Sequence, residues 1–342
     1  MTGEPVTVRP PLDPAVADVR RAVRTALAAL PAHTAADPDV LVALSGGADS
    51  LALAAAVAFE APKLGLRAAS VTVDHGLQEG SAEVAAGAAA QAQEIGLDAR
   101  VIRVDVAAGP EGPEAAARTA RYAALVRAAR ESGPRPAVLL TGHTLDDQAE
   151  TVLLGLARGS GAASLQGMAP VSEREGVTLV RPLLRIRRAT TRAACVAAEL
   201  EPWDDPHNAD PAYARVRVRA RVLPVLEAEL GPGVAEALTR TADQLREDAE
   251  AFAEMIDETI EDIVEHAEAG ISVSVPALAA NRAALRHRII RHVVASEFHE
   301  SLSRAQTLEV ARLVTDWTGQ GPIDLPACTA RREGGRIVFR AR

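Results

Sequence analysis

Short apolar segments alternate with longer amphipathic segments along the first half of the chain. The short segments are rich in Val, Leu and Ala and predict β-strands at 40–44, 68–73, 99–104 and 137–140. The longer segments predict α-helices at 15–30, 48–59, 82–95, 113–131 and 145–156. Repeated strand–helix units favour an α/β fold with a doubly wound parallel sheet and helices on both faces. Ligands bind beyond the carboxyl ends of the strands in such sheets, so polar residues there are candidate site residues.

The pattern changes in the second half of the chain. After Gly161 it loosens into a connecting region rich in Arg and Pro, and from 223 to 267 it is helical and acidic. Further helices are predicted at 276–296 and 304–317. A hairpin is predicted from strands 323–327 and 336–339, around Gly334 and Gly335. We therefore expect a boundary near Val225, between a domain at 1–225 and a mainly helical C-terminal domain at 226–342 that ends in the hairpin.

The first predicted strand leads into a turn that contains two glycines. This turn consists of Ser45, Gly46, Gly47, Ala48, Asp49 and Ser50. Glycine permits positive φ angles and a helix N-terminus attracts anions, so a polyphosphate fits there. A Walker loop would need a lysine at this point, but Lys63 is the only lysine in the chain. Asp49 is a candidate Mg²⁺ ligand beside phosphate oxygens. An ordinary strand-to-helix turn with a serine cap is the alternative.

The second predicted strand ends in Asp74 and His75. Asp74 could accept a hydrogen bond from a ribose hydroxyl or an adenine amine, and His75 lies beside it. The alternative for His75 is a packed or capping residue. On the helix at 113–131, Arg118 and Tyr122 lie one turn apart and face the same way. Solvated basic residues are the alternative interpretation of this helix.

The fourth predicted strand is followed by His143 and an acidic helix start. Residues 145, 149, 152, 153 and 156 form an apolar stripe, whereas Asp147 and Glu150 lie together on the opposite side, near Asp146. Paired carboxylates could hold Mg²⁺ or grip an ammonium group, and one of them could take a proton from an attacking amine. The alternative is that acids in a first helical turn only complement the helix dipole.

Composition limits the class of protein. Apolar residues make up 48% of the 342 residues, which is enough to fill two cores. Because aromatic residues are only 2%, we expect these cores to be packed with Ala, Val and Leu side chains. Cys195 and Cys328 are isolated, which argues against structural zinc, an iron–sulfur cluster or a disulfide framework. The polar, proline-rich first residues do not resemble a signal peptide, and no apolar run is long enough for a membrane span, so we expect a soluble, cytoplasmic protein.

Charge is distributed unevenly. The net charge is −9, yet 226–270 has two arginines against fourteen acids, whereas 271–342 has eleven arginines against six acids. A basic zone beside an acidic one is compatible with polyanion binding on one face, because exposed charges more than about 10 Å apart are largely screened. Solvated charged faces are the alternative.

Several motifs in series resemble the tRNA(Ile)-lysidine synthetase family, a group within the N-type ATP pyrophosphatases, also called the PP-loop family. They comprise the loop Ser45 to Ser50, Val73-Asp74-His75-Gly76-Leu77, Ala117-Arg118-x-x-Arg121-Tyr122, Gly142-His143-x-x-Asp146-Asp147-Gln148-x-Glu150-Thr151, Arg158-Gly159-Ser160-Gly161, Arg181-Pro182-Leu183-Leu184 and Asp205-Pro206-His207-Asn208. The resemblance covers about 40–226 and, more weakly, the terminal hairpin. The chain departs from the family pattern at Val216 and Ala220, which replace an asparagine and a histidine.

The resemblance implies a two-step reaction that uses ATP with Mg²⁺. The wobble cytidine of tRNA(Ile) bearing a CAU anticodon attacks the α-phosphate through O2, pyrophosphate leaves, and free L-lysine displaces AMP at C2 to give lysidine. In this hypothesis Asp147 and Glu150 grip lysine and assist its deprotonation, and Asp49 and Asp146 suit the metal and phosphates. His143 and Arg118 stabilise developing charge, and Arg282, Arg286 and Arg332 are candidate phosphate contacts. The oligomeric state stays open, a homodimer being one option.

Three alternatives differ in their chemistry. A tRNA 2-thiolation enzyme on the same scaffold would need paired cysteines or a cluster. A small-molecule amidating synthetase would need a source of ammonia. A non-catalytic ATP-binding regulator would have no need for acids 146, 147 and 150 beside the loop.

Overall fold

The computed structural model describes residues 12–30, 39–76, 80–106, 113–159, 161–267 and 270–342. The chain forms two compact units, Met1–Asp243 and Gln244–Arg342. The division falls within helix α10 (Val234–Ile263), whereas the sequence predicts a boundary near Val225, before this helix begins.

The first unit contains a six-stranded sheet. Its strand order is β3-β2-β1-β4-β6-β5, and all neighbours are parallel except the edge pair β5 and β6. The strands are β1 (Val40–Ala43), β2 (Ala68–Asp74), β3 (Asp98–Arg103), β4 (Val138–Leu140), β5 (Val171–Arg174) and β6 (Val177–Val180). The helices of this unit that precede α10 are α1 (Pro14–Ala28), α2 (Ala48–Glu60), α3 (Ser81–Glu94), α4 (Pro113–Arg130), α5 (Leu145–Ala157), α6 (Gly161–Leu165), α7 (Arg188–Ala197), α8 (Ala214–Arg217) and α9 (Leu223–Leu230).

Helices cover both faces of the sheet, as predicted. On one face α1, α2, α3 and α7 supply side chains such as Val23 and Leu53 to one apolar cluster. On the other face α4 supplies Tyr122 and Leu125 to a second cluster. Parallel sheets are buried on both faces in this way because their crossover helices lie above and below them. The predicted fold class is therefore confirmed.

The sheet gathers three candidate loops at one edge. Because β1 is parallel to both β2 and β4, their carboxyl ends all lie on the same side. The residues that follow them are Ser45 after β1, His75 after β2 and Thr141 after β4. This edge is where the sequence places a ligand.

Helix α5 differs from its predicted pattern. Leu145 and Ala149 are buried as expected, but Leu156 is 59% exposed and Glu150 is 0% exposed. The reason is that α6, α8 and the turn after α8 pack against α5, so the helix is covered on its acidic side as well. The burial of Glu150 determines much of the site described below.

The connecting region contains structure that its loose sequence pattern did not predict. Strands β5 and β6 form a hairpin on the edge of the sheet, with Glu175 at positive φ beside Gly176 in its turn. Further along, a π-helical turn at Val218–Val222 joins α8 to α9. Such wide turns are frequent at functional sites.

The second unit packs the C-terminal part of α10 and three further helices with a five-stranded antiparallel sheet of order β7-β8-β11-β10-β9. The helices are α11 (Val275–Ala280), α12 (Ala283–Phe298) and α13 (Arg304–Thr315). The strands are β7 (Val264–Ala267), β8 (Gly270–Ser274), β9 (Ile323–Asp324), β10 (Cys328–Glu333) and β11 (Arg336–Ala341). Its core includes Ile289, Leu313 and Phe339, each fully buried.

The C-terminal hairpin is confirmed, but its first strand was misplaced. Strand β11 pairs with β10 across Gly334 and Gly335, and the predicted strand at 323–327 forms only the short β9 on the outer side of β10. A tight turn at Pro326 and Ala327 (φ 56°) separates β9 from β10. Strands β7 and β8 were missed, and the helix predicted at 276–296 is two helices, because the chain is extended at Asn281 and Arg282.

Some sequence predictions lie outside the described residues. They concern the polar lead before Leu12, Leu77 in the motif after β2, and Ser160 in the glycine-rich motif after α5. Over the part of the chain that is described, no helix combines the length and apolarity needed to cross a membrane.

Candidate active site

Two loops meet at the carboxyl edge of the sheet. In the loop after β1, Gly46 has a φ of +82° and the Ser50 hydroxyl donates to the Gly47 carbonyl oxygen at 2.9 Å. The backbone N–H of Ser45 in turn donates to the Ser50 oxygen at 3.1 Å. No side chain caps the N-terminus of α2, so its first N–H groups, before that of Ser50, remain available to an anion. The predicted loop thus has the geometry of a phosphate cradle.

The loop after β4 packs directly on this cradle. A Cβ atom on Gly142 would lie 2.9 Å from the carbonyl oxygen of Asp49 and 3.0 Å from the backbone nitrogen of Ser50. Only glycine allows the two backbones to come so close. The position of the cradle is therefore fixed by the loop that also carries His143.

A cavity of about 660 Å³ opens beside the cradle. Its walls include Ser45, Asp49, Asp74 and His75. The Asp74 carboxylate accepts from the Gly76 N–H at 3.0 Å, and its pKa is held below the usual range by the Ser81 hydroxyl and this backbone donor. The His75 Nδ1 is buried and has no hydrogen-bond partner among the residues that the structure describes. Ionised Asp74 and unpaired His75 offer hydrogen bonds to a bound ligand.

Arg118, on helix α4, and His143, in the loop after β4, line the same cavity. The guanidinium of Arg118 lies 5.1 Å from the ring centre of Tyr122, and Arg118 is exposed and has no carboxylate partner among the described residues. His143 Nδ1 lies 2.8 Å from the Thr141 hydroxyl. Burial lowers the pKa of His143 to about 4, with help from nearby Arg181 and Arg118. His143 is therefore neutral near pH 7, whereas Arg118 brings to the cavity a positive charge that no described carboxylate neutralises.

Acids and arginines form a balanced cluster at the back of the cavity. Arg188, the first residue of α7, contacts Asp49 at 3.3 Å, Asp147 at 2.8 Å and Glu150 at 3.3 Å. The Thr191 hydroxyl, one turn further along α7, also donates to Asp49. One guanidinium thus joins three carboxylates that the sequence places on two different helices.

Two more guanidinium groups contact the Glu150 carboxylate. Arg219, in the π-helical turn, donates to Glu150 at 2.7 Å and lies 3.7 Å from Asp147, and Arg215 on α8 lies 3.5 Å from Glu150. A fully buried carboxylate needs such partners because an unpaired buried charge is strongly destabilising. The three acids at 49, 147 and 150 are therefore balanced by the three arginines at 188, 215 and 219.

The pKa values of the two carboxylates nearest the cradle are shifted in opposite directions. Burial raises the pKa of Asp49, and the neighbouring Asp147 charge adds to this effect. Burial alone would raise the pKa of Asp147 too, but Arg188 and the Thr144 N–H hold it below its usual range. The Thr144 N–H donates to Asp147 at 2.8 Å as part of a capping box at the start of α5. Asp147 therefore stays ionised, whereas Asp49 accepts a proton more readily than an ordinary aspartate.

A second, smaller cavity of about 190 Å³ lies on the other side of this cluster. Its charged walls are Asp146, Glu150, Glu227, Arg187, Arg188 and Arg219, and its apolar walls are Leu223, Pro224 and Ala235. Arg187 Nη1 lies 3.3 Å from Asp146, and Arg187 Nη2 lies 3.5 Å from Glu227. Cavities of about 150 Å³ admit benzene, so this one has room for the side chain of an amino acid.

The structure separates the two acids predicted to bind Mg²⁺. Asp49 lines the large cavity, whereas Asp146 lines the small one and accepts from the backbone N–H of Arg188 at 2.7 Å. In the described part of the chain, no three His, Cys, Asp or Glu side chains converge as metal ligands. Mg²⁺ is commonly held by one or two carboxylates together with substrate phosphates, and Asp49 beside the cradle fits that arrangement.

Sequence reasoning missed the arginines that organise the site. Arg188 and Thr191 come from a region whose pattern was loose, and only contacts across the fold reveal their partners. Arg215 and Arg219 belong to the arginine-rich run in which the chain departs from the family pattern. At the two departing positions, Val216 is buried and Ala220 is exposed. Arg215 and Arg219 contact Glu150 with these two residues in place.

The chain is similar to known proteins over nearly all of its length. A family model described as a PP-loop domain matches residues 19–226, and one described as a TilS substrate binding domain matches 274–338. A tRNA(Ile)-lysidine synthase of Leifsonia xyli is 57% identical over 304 residues, which span 88% of this chain and 89% of the relative. One of Salinispora tropica is 52% identical over 333 residues, which span 96% and 97% of the two chains.

A solved structure shares the fold at lower similarity. The U34-tRNA thiolase NcsA from Methanococcus maripaludis has a TM-score of 0.55 and 20% identity, over 68% of this chain and 80% of its own. This likeness concerns the fold alone and does not favour the thiolation alternative. Cys195 and Cys328 are each buried and free, with no disulfide between them. With relatives this similar over nearly the whole chain, the protein belongs to the tRNA(Ile)-lysidine synthase family.

Proposed function

We propose that this protein uses ATP to join lysine to C2 of the wobble cytidine, position 34, in the CAU anticodon of tRNA(Ile). The observation that carries the proposal is the pair of cavities: one beside a lysine-free phosphate cradle, the other lined by acids and arginines. The relatives' name gives the substrates, and the geometry indicates which residues would serve each half of the reaction.

In the first half-reaction the cytidine O2 attacks the α-phosphate of ATP and pyrophosphate leaves. The amides of the cradle and the start of α2 suit the triphosphate, and Asp74 suits a ribose hydroxyl or the adenine amine. Arg118 suits the charge that develops on the transferred phosphate, since no carboxylate among the described residues neutralises it. Neutral His143 can act there only as a hydrogen-bonding group.

A magnesium ion would neutralise phosphate charge when bound with ATP. Asp49 is the residue that would hold it, because its carboxylate lies at the first turn of α2 and lines the large cavity. The position of Asp146 in the small cavity suits contact with the amino acid better than contact with this ion.

In the second half-reaction the lysine amine displaces AMP from C2. The small cavity offers acids for ammonium groups, arginines for a carboxylate, and an apolar wall for the methylene chain. Asp147 and Glu150 suit the grip on the reacting ammonium. Because Asp147 has a lowered pKa, it is suited to hold the cation rather than to take its proton.

The second unit offers a surface for the RNA backbone. His287, Arg288 and Arg291 lie on the partly exposed side of α12, whose single acid, Glu297, is in the last turn. The pKa of Arg291 is lowered by burial and by Arg288 and Arg304, which shows that these cations crowd one another. Half-buried cations suit phosphate groups when, as here, no carboxylate in the described part of the chain pairs with them. Arg332, a candidate phosphate contact from the sequence, is partly exposed and donates one hydrogen bond to the Leu313 carbonyl at 2.9 Å.

Charge removal tests this surface. The variant Arg291→Gln/Arg304→Gln should bind tRNA more weakly whatever the RNA sequence. Its plot of log K against log salt concentration should be less steep, by about 2 in the magnitude of the slope. The control Arg340→Gln/Arg342→Gln removes the same charge, but these arginines pair with Glu333 and Asp324, so its slope should stay near that of the wild type. Equal slopes in all three proteins would refute the assignment.

Product analysis tests the function as a whole. The protein is incubated with ATP, tRNA(Ile) and labelled lysine, and anticodon-loop nucleosides are identified by mass. Lysidine that depends on both ATP and lysine, with AMP and pyrophosphate released, is the expected result. Label from a sulfur donor without lysine would indicate thiolation instead, and ATP binding without pyrophosphate release would indicate a regulator.

A further inference from the structure

Two arginines separate the large cavity from the small one. Arg188 and Arg219 line both cavities, whereas Asp147 lines only the large one and Glu150 only the small one. We call Arg188 and Arg219 the partition. Each of them contacts acids on both of its sides, at distances from 2.7 to 3.7 Å. The partition is therefore a charged wall held closed by ion pairs with the acids of both cavities.

The partition serves a chemical purpose in the reaction proposed above, so this inference rests on the proposed function. Free lysine carries a carboxylate as well as an amine. If that carboxylate reached ATP, its oxygen could attack the α-phosphate, the Pα–O–Pβ bond would break and pyrophosphate would leave. The product, lysyl adenylate, would consume ATP without modifying RNA. Keeping the amino acid apart from the triphosphate prevents this reaction until RNA has been adenylated.

The two members of the partition differ in how firmly they are held. Arg188 is 18% exposed, pairs with three acids, and its backbone N–H donates to Asp146 at 2.7 Å. Arg219 is 29% exposed, pairs with two acids and lies in the π-helical turn Val218–Val222. Arg219 therefore has fewer contacts to break than Arg188.

We infer that Arg219 determines which nucleophile reaches the α-phosphate: it closes the partition until the RNA is adenylated, and only then does the lysine ammonium take its place on Glu150. The exchange replaces one cation by another. Glu150, which is fully buried, thus keeps its charge balance throughout, and the large penalty for an unpaired buried carboxylate is avoided. Arg219 is a specificity-determining residue in this account, and the amine reaches the adenylated cytidine only after it has moved.

Lysine-dependent exchange of pyrophosphate into ATP, measured without any RNA, tests this inference. The wild type should show no exchange above background, because lysine carboxylate and ATP are kept apart. Arg219→Ala removes one of the two side chains of the partition and should raise the exchange at least tenfold. Arg219→Lys keeps a cation at this position and should return the exchange towards background.

Arg215 provides a matched control. It also contacts Glu150, at 3.5 Å, but it lines neither cavity. Arg215→Ala therefore removes a charge beside Glu150 without opening the wall, and its exchange should stay at background. If Arg219→Ala melts early, Arg219→Met, which keeps the aliphatic volume, takes its place.

Two results would overturn the inference. One is background exchange in Arg219→Ala and Arg219→Met while both still bind ATP and lysine by calorimetry. The other is equal exchange in the Arg219 and Arg215 variants, which would indicate lost charge rather than an opened wall. The proposed function fails differently, through absence of lysidine when the wild type is given tRNA.

Discussion

The close packing of the β4 loop on the phosphate cradle can be tested with one methyl group. Gly142→Ala would place a Cβ atom 2.9 Å from the Asp49 carbonyl oxygen and 3.0 Å from the Ser50 nitrogen. Both neighbours are backbone atoms of the first turn of α2, so no side-chain rotation relieves the contact. Gly142 does not have a positive φ, and alanine can adopt its conformation without strain. The only consequence of the substitution is that the two loops must separate.

Overpacking of this kind usually costs about 1–3 kcal/mol. If the separation displaces the cradle amides, ATP should bind about 5- to 150-fold more weakly. The loss of stability should lower the melting temperature by roughly 2–4 °C per kcal/mol for a unit of this size. Calorimetric titration with ATP and thermal unfolding measure the two effects separately.

Gly87→Ala is the matched control. Gly87 lies inside α3, and a Cβ atom there meets nothing within 4 Å. It should leave ATP binding unchanged and stabilise the helix by up to about 1 kcal/mol. If Gly142→Ala binds ATP as tightly as the wild type and melts no earlier, the loops do not set the cradle's position as described.

Three further predictions concern single side chains. Asp147→Asn should leave RNA adenylation near the wild-type rate but lower lysine incorporation about 10- to 100-fold, and equal loss of both steps would contradict its role. The pKa of His143 is near 4 in the folded protein, so only the unfolded protein gains a proton there as the pH drops from 6.5 to 4. The free energy of unfolding should therefore fall over this range, by at most ~3 kcal/mol. Urea titrations of His143→Gln should show less of this fall. Burial raises the pKa of the Cys195 thiol to about 11, so iodoacetamide should not label it in the native protein at pH 8, and rapid labelling would show that it is accessible.

The parallel sheet could be predicted from the sequence because the strand and helix signals in the first half of the chain are local. Buried strands appear as short Val and Leu runs, and the glycines of the cradle mark the turn after the first of them. The acids at the start of α5 were found for the same reason, since they directly follow a predicted strand. Their positions needed no knowledge of distant contacts.

The arginine partners of those acids could not be found in this way. Arg188 meets Asp49 across 139 positions of sequence, and Arg219 meets Glu150 across 69. Nothing local distinguishes these arginines from others in a chain with so many. The β5–β6 hairpin was missed because its exposed edge strand lacks an apolar pattern, and the start of β10 because a proline turn precedes it.

The identity of the nucleotide product tests the central claim most directly. ATP labelled separately at the α- and γ-phosphates is incubated with the protein, tRNA(Ile) and lysine, and the products are separated by chromatography. Attack at the α-phosphate predicts labelled AMP and labelled pyrophosphate in equal amounts, matched by lysidine formed. Labelled ADP with free orthophosphate would contradict the account, because the cradle would then direct attack at the outermost phosphorus.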